Sequence, residues 1–250
     1  MRLSSRNSLR WANSPPAPAL RWRRKKAPLS LPHHQPLLYL ITNRQAFRRS
    51  PDVSDKEAWR LQIEAIRLAA AAGCQLIQIR EKDVSARALT KFTREAIAAA
   101  RPQGAKVFVN DRLDVAMAAK ADGIHLRVTS LAVADIREVT KSNKLGNFLI
   151  GASTHFVAEA TDAQACGADF IVCGPVYDTP SKRGYGSPLG VAKLAEVCRA
   201  VEIPVLALGG ITLKNFHEPL QHGAAGIAAI GLFTDLSRLQ TVTSTILNFR

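Results

Sequence analysis

The chain has 250 residues, 47% of them hydrophobic and 22% charged, with a formal charge of +14. That composition excludes a disordered or fibrous protein and gives enough length to bury one sizeable core. No apolar run approaches the roughly 20 residues that a membrane-crossing helix needs.

The charge is unevenly placed. Residues 1–35 hold eight cations (Arg2, Arg6, Arg10, Arg21, Arg23, Arg24, Lys25 and Lys26) and no acid, so the rest of the chain carries a net +6. A moderately basic body suits an anionic small molecule. It lacks the interleaved aromatic and basic residues of a nucleic-acid groove, so nucleic acid is disfavoured as a partner and a phosphorylated small molecule is expected. The extension at 1–35, rich in Arg, Ser and Pro, has no apolar core of a secretory signal. It reads as a disordered tail, an organellar transit peptide, or the product of a start codon placed too far upstream. Cys74, Cys166, Cys173 and Cys198 lack metal-ligand spacing and fall in apolar stretches. They are expected to be buried free thiols in a reducing compartment, which gives a cytoplasmic expectation with organellar import as the lesser alternative.

From residue 36 onward short apolar runs alternate with amphipathic segments. The predicted strands are LLYLIT (37–42), CQLIQI (74–79), KVFV (106–109), GIHL (123–126), FLIGA (148–152), DFIVC (169–173), PVLAL (204–208) and GIAAI (226–230). The first helix has Ser54 as its cap, Glu57 three residues on, and Gly73 at its end. THFVAEATDAQACG and TLKNFHEPLQHG repeat a Thr start and a Gly stop, with Pro219 placed either in a first turn or at a kink. Eight apolar strands separated by single helices predict the α/β class and a closed (β/α)8 barrel, a single domain over 36–250. An open dinucleotide-binding sheet is disfavoured because no G-x-G-x-x-G follows the first strand.

In such a barrel the chemistry gathers at the carboxyl ends of the strands. After strand 2, alternation puts Gln78 and Arg80 on one face, with Lys82 reaching over the rim; they form either a solvated loop or a cationic seat for a phosphorylated substrate. After strand 3, Asn110 and Asp111 either cap the next helix or hold a hard cation. After strand 5 come Ser153, Thr154 and His155, the last a candidate for proton transfer at a helix start. The long loop after strand 6 carries Thr179, Ser181 and Lys182 among glycines, as a lid over a phosphate would. Gly209 and Gly210 after strand 7, with Ile230 and Gly231 after strand 8, would let backbone N–H groups approach a phosphate.

Together the stretches QIREK (78–82), ND (110–111), ADGIHL (121–126), GASTH (151–155), GADFIVCGPVYDTPSK (167–182), PVLALGGI (204–211) and GAAGIAAI (223–230) resemble the thiamine phosphate synthase and TenI family, in family order across 37–235. The resemblance implies a TIM barrel that binds a thiazole phosphate at the glycines of strands 7 and 8. In the synthase an aminopyrimidine pyrophosphate also enters, pyrophosphate leaves with magnesium, and the thiazole nitrogen captures the pyrimidine cation. The family roles would give Gln78, Arg80, Lys82, Asn110, Ser153, Thr179 and Lys182 to the pyrophosphate and Asp111 to Mg2+.

The chain departs from that pattern after strand 4. Where a synthase would continue HLGQ and then supply a second metal-binding Asp, this sequence reads His125, Leu126, Arg127, Val128, Thr129, Ser130. TenI-like members lack that acid and resemble this chain in IREK followed by SAR (85–87). The resemblance therefore favours a metal-free, cofactor-free thiazole tautomerase, with His155 and Lys182 as catalytic residues. The alternative is a Mg2+-assisted synthase with Arg127 supplying positive charge. A non-catalytic thiazole phosphate binder is the third reading, and a second copy of the chain stays open as a partner.

Overall fold

The computed structural model describes residues 35–48, 53–179 and 187–249, and within them strand and helix alternate throughout. The order is β1 (Leu37–Ile41), α1 (Asp55–Ala71), β2 (Leu76–Ile79), α2 (Ala86–Ala100), β3 (Lys106–Asn110), α3 (Leu113–Ala119), β4 (Gly123–Leu126), α4 (Val133–Ser142), β5 (Leu149–Thr154), α5 (Val157–Ala165), β6 (Phe170–Cys173), α6 (Gly190–Ala200), β7 (Val205–Leu208), α7 (His217–Gln221), β8 (Gly226–Ala229) and α8 (Leu239–Leu247). All eight strands pair in parallel and in sequence, and β1 closes on β8, with Leu37 opposite Gly226. The architecture is the expected (β/α)8 TIM barrel. The basic extension, residues 1–34, lies outside the described residues.

A strand turns alternate residues to opposite faces. Leu37, Tyr39, Ile41, Leu76, Phe108, Leu149, Phe170, Val172, Leu206 and Ala228 form the inner cluster, while the residues between them, such as Leu38, Leu40, Ile77 and Ile79, pack against the helices. Tyr39, Phe108 and Phe170 meet edge to face in the barrel centre, with ring centroids 5.2–5.8 Å apart. Edge-to-face contact is an arrangement that aromatic rings favour.

Local signals place the starts of α1 and α2. Ser54 caps α1, its side-chain oxygen accepting from the Glu57 N–H at 3.2 Å, and Ser85 caps α2 from Ala88 in the same way. Pro219 sits in the first turn of α7, where a missing N–H is harmless. Three expectations need correction. Thr154 does not begin α5: it is the last residue of β5, paired with Cys173, and the helix starts three residues later without a side-chain cap. α7 starts at His217, because Thr212 spends its N–H and hydroxyl on a turn with the Asn215 side chain. Cys166 is exposed at the end of α5 and Cys198 half-buried, so only Cys74 and Cys173 are the buried thiols expected of all four.

The seam between β8 and β1 is a close approach. A Cβ on Gly226 would stand 2.2 Å from the Leu37 carbonyl oxygen and 2.6 Å from its Cβ. Because the obstacle is backbone in a paired strand, Gly226→Ala should lower the unfolding free energy by about 3 kcal/mol. Chemical denaturation checks this: the midpoint should fall with an unchanged slope, and a midpoint equal to wild type would contradict the close packing of the seam.

Candidate functional site

The inward phase of each strand continues past its last hydrophobic residue and delivers polar side chains to the carboxyl-end mouth. Leu76 faces inward, so Gln78 and then Arg80 do too; Phe108 leads to Asn110, and Leu149 to Ser153. Gln78 is buried, and Arg80, Asn110 and Ser153 are half-buried. The loop carrying Arg80 is held firmly. The Arg80 N–H donates to the Thr42 hydroxyl at 2.9 Å. Glu81 turns the other way and accepts from the backbone N–H and Nη1 of buried Arg44, both at 3.1 Å, while Arg44 also forks onto Asp83 and lies over the Trp59 ring. Burial holds the Arg80 guanidinium below its usual pKa, partly offset by the Glu81 charge, and Arg127 adds to the lowering. Among the described residues that guanidinium donates no hydrogen bond to protein.

Asp111 occupies the rim of β3 at φ 61°, an uncommon backbone for a non-glycine residue. It caps no helix, since α3 begins after Arg112 without a side-chain cap. Its carboxylate instead ties β3 to the turn after β4. Oδ1 accepts a close bond from the Ser130 hydroxyl and a 3.3 Å bond from the Arg127 N–H; Oδ2 accepts a close bond from Arg127 Nε and a 3.0 Å bond from Asn110 Nδ2. Burial alone would raise this carboxyl's pKa, but the bonds from Ser130 and Arg127 outweigh it and hold it below the usual carboxylate range. The described residues do not fit a magnesium site: among them no cluster of acids gathers at Asp111, and both its oxygens are taken by protein donors, whereas Mg2+ asks for open oxygen ligands.

Sequence reasoning missed His125. It follows Gly123 in the inward phase of β4, packs 5.7 Å from the Tyr39 ring and 6.0 Å from the Phe170 ring, and shares a 2.9 Å hydrogen bond between Nε2 and Ser153 Oγ. Burial pulls its pKa down to about 3, against the favourable charge of Asp111, so the ring is neutral and fixes the Ser153 hydroxyl. The signal that could have found it is the phase of GIHL.

The other expected residues are placed as follows. His155 lies just beyond β5, but its Nδ1 is 3.2 Å from Glu159 Oε2, and it lines a depression of about 470 Å³ with Phe156, Leu189 and Lys193 between α5 and α6. Lys82 is exposed on the loop after β2, and Thr179 is half-buried at the start of the loop after β6. Ser181 and Lys182 lie outside the described residues. Gly209 and Gly210 have φ 104° and 65°, and Cβ atoms there would strike Pro175 and the Asp178 carbonyl, so their backbone conformation demands glycine. Ile230, just after β8, packs against the inner cluster, and Gly231 stands exposed beside it with open space where a Cβ would be.

The family profile described as thiamine monophosphate synthase matches residues 38–233. The chain belongs to this family. A putative thiamine-phosphate synthase of Geobacter sulfurreducens is 42% identical over 193 residues, covering 77% of this chain and 84% of that one. A thiamine-phosphate synthase of Methanoculleus marisnigri is 41% identical over 171 residues, covering 68% and 79%. The solved thiamine phosphate pyrophosphorylase of Pyrococcus furiosus superposes with a TM-score of 0.69 at 29% identity, covering 85% of this chain and 97% of that one. The two curated relatives bear synthase names, which support the synthase alternative better than the tautomerase preference drawn from the missing Asp after β4.

The buried imidazole sets a pH dependence of stability. The unfolded chain would protonate His125 near 6.5 while the folded chain resists until about 3, so the unfolded state binds the extra proton and stability falls as pH drops through that window. Denaturant unfolding at pH 7 and pH 5 should show wild type losing roughly 2 kcal/mol more than His125→Gln. Equal losses would mean that the ring is not neutral in the folded protein.

Proposed function

We propose that the protein joins a hydroxymethylpyrimidine pyrophosphate to a thiazole phosphate, forming thiamine phosphate and releasing pyrophosphate. The observation that carries this reading is the pair of guanidiniums, Arg80 and Arg127, facing the mouth from β2 and β4 with hydrogen-bond donors that the described protein does not use. In the closed strand order these stand across the mouth from Gly209, Gly210 and Gly231, which supply a second place for a phosphate. Two anion seats suit two phosphorylated substrates. The isomerisation's substrate, a carboxythiazole phosphate, carries one phosphate and one carboxylate, whereas paired guanidiniums suit the several oxygens of a diphosphate. The names borne by the relatives support the same choice.

The chemistry follows from the seats. The bond between the pyrimidine methylene carbon and the pyrophosphate oxygen breaks, and the pyrophosphate leaves with the electron pair. The thiazole nitrogen then gives its lone pair to that carbon and forms the new C–N bond. Charge that develops on the leaving oxygen is met by Arg80 and Arg127, cations held in place before the reaction. Asn110, Gln78 and the Ser153 hydroxyl, oriented by neutral His125, are the polar groups that would direct the pyrophosphate, with Lys82 and Thr179 on the loops after β2 and β6.

The tautomerase remains as a second reading because of one observation: Arg127 and Ser130 occupy Asp111 where a metal-dependent enzyme would keep its carboxylates open. In that reading His155→Ala would cut the isomerisation of carboxythiazole phosphate by roughly two to four orders of magnitude.

Purified full-length protein given both substrates should form thiamine phosphate. Arg80→Ala should lower kcat/KM by about a hundredfold or more, the usual loss when a preorganised charged donor is removed. No coupling, together with rapid isomerisation of carboxythiazole phosphate, would overturn the proposal in favour of the second reading.

A further inference from the structure

The β2–β4 side of the mouth is electrostatically unbalanced. Arg127 is fixed by Nε on Asp111 Oδ2, and its backbone N–H reaches Ser130 Oγ at 2.9 Å. Its two Nη groups have no protein partner among the described residues, and the side chain is 49% exposed. Arg80 stands close enough to feel the charges of both Arg127 and Asp111. Asp111 is shared between the two guanidiniums; Glu81, which also acts on Arg80, is itself paired with Arg44; and His125 beside them adds no charge.

We propose that Arg127 acts as a built-in counter-cation: the Asp111 and Ser130 bonds hold it so that its Nη edge, with Arg80, forms a diphosphate seat that needs no divalent ion. A guanidinium presents its donors in a planar fork that matches two phosphate oxygens at once. A metal ion brought to Asp111 would have to displace Arg127 or Ser130 and would then lie beside a cation, which Coulomb repulsion opposes. The same contacts explain why this acid tolerates φ 61°: its carboxylate is fully engaged, and relaxing the backbone would break the tie to Arg127. The inference deepens the proposed reaction by making its leaving-group seat metal-independent, but the seat stands on its own geometry.

Calorimetric titration of inorganic pyrophosphate into the full chain tests it, once in EDTA and once in excess magnesium. Binding should be seen in EDTA, with an affinity within about threefold of that in magnesium. Arg127→Gln should weaken the EDTA binding by roughly 10- to 100-fold, as loss of a charge-assisted contact does, with a far-ultraviolet spectrum like wild type's to show that the fold is intact. Manganese alone, followed by its spin-resonance signal, should not bind wild type. Pyrophosphate binding that requires magnesium, or an Arg127→Gln protein that binds in EDTA as wild type does, would overturn the inference. Thiamine phosphate formation with metal-dependent pyrophosphate binding would leave the proposed reaction standing while removing this inference; metal-free binding without coupling would do the reverse.

Discussion

Closure of the sheet on itself governs everything else in this molecule. With β1 paired to β8, every strand must turn alternate residues into a space bounded on all sides. At the centre that space is filled by Tyr39, Phe108 and Phe170, and glycine stands at the seam because Leu37 leaves no room for a Cβ at Gly226. One step further toward the carboxyl ends the same phase delivers Gln78, Asn110, His125 and Ser153. The polar mouth is thus the apolar core continued by one layer, and its side chains inherit the rigidity of the strands below them.

The rim converts that rigidity into charge placement. Arg44, Glu81 and Asp83 lock the loop after β2, so the Arg80 guanidinium enters the mouth without a protein acceptor among the described residues. Asp111 locks the turn after β4 and brings Arg127 to the same side. Both arginines are held by contacts that leave donors unspent. For half-buried Arg80 that state is one an anion would complete, and Arg127, more exposed, presents its fork on the same side. Across the barrel the loops after β7 and β8 contribute backbone rather than charge, which suits a monophosphate approached by N–H groups.

The fold was legible because a short apolar strand followed by an amphipathic helical segment repeats eight times, and each repeat is a local signal. The strand ends were less so. Cys74 and Gln75 read as strand but precede the pairing of Leu76 with Lys106, whereas Ser153 and Thr154 read as a helix start but extend β5 against Val172 and Cys173. Gln78 and Arg80 were placed correctly from alternation alone. The same alternation would have turned His125 inward, but a histidine inside GIHL looked like part of an apolar strand, and His155 drew attention because it stands at a strand end. What no local rule carries is the tie from Asp111 to Arg127 and Ser130, 16 and 19 residues away. That contact exists only because adjacent parallel strands bring their ends together, and it changes the reading of Asp111 from a metal ligand to an anchor for a cation.

The two-seat mouth is tested most directly by a crystal structure of the full chain grown with inorganic pyrophosphate and a thiazole phosphate together. Pyrophosphate should contact the guanidiniums of Arg80 and Arg127 on the β2–β4 side, with the thiazole phosphate group on the backbone of Gly209, Gly210 and Gly231. Both anions on one side of the barrel, or pyrophosphate on the glycines with Arg80 and Arg127 untouched, would contradict it.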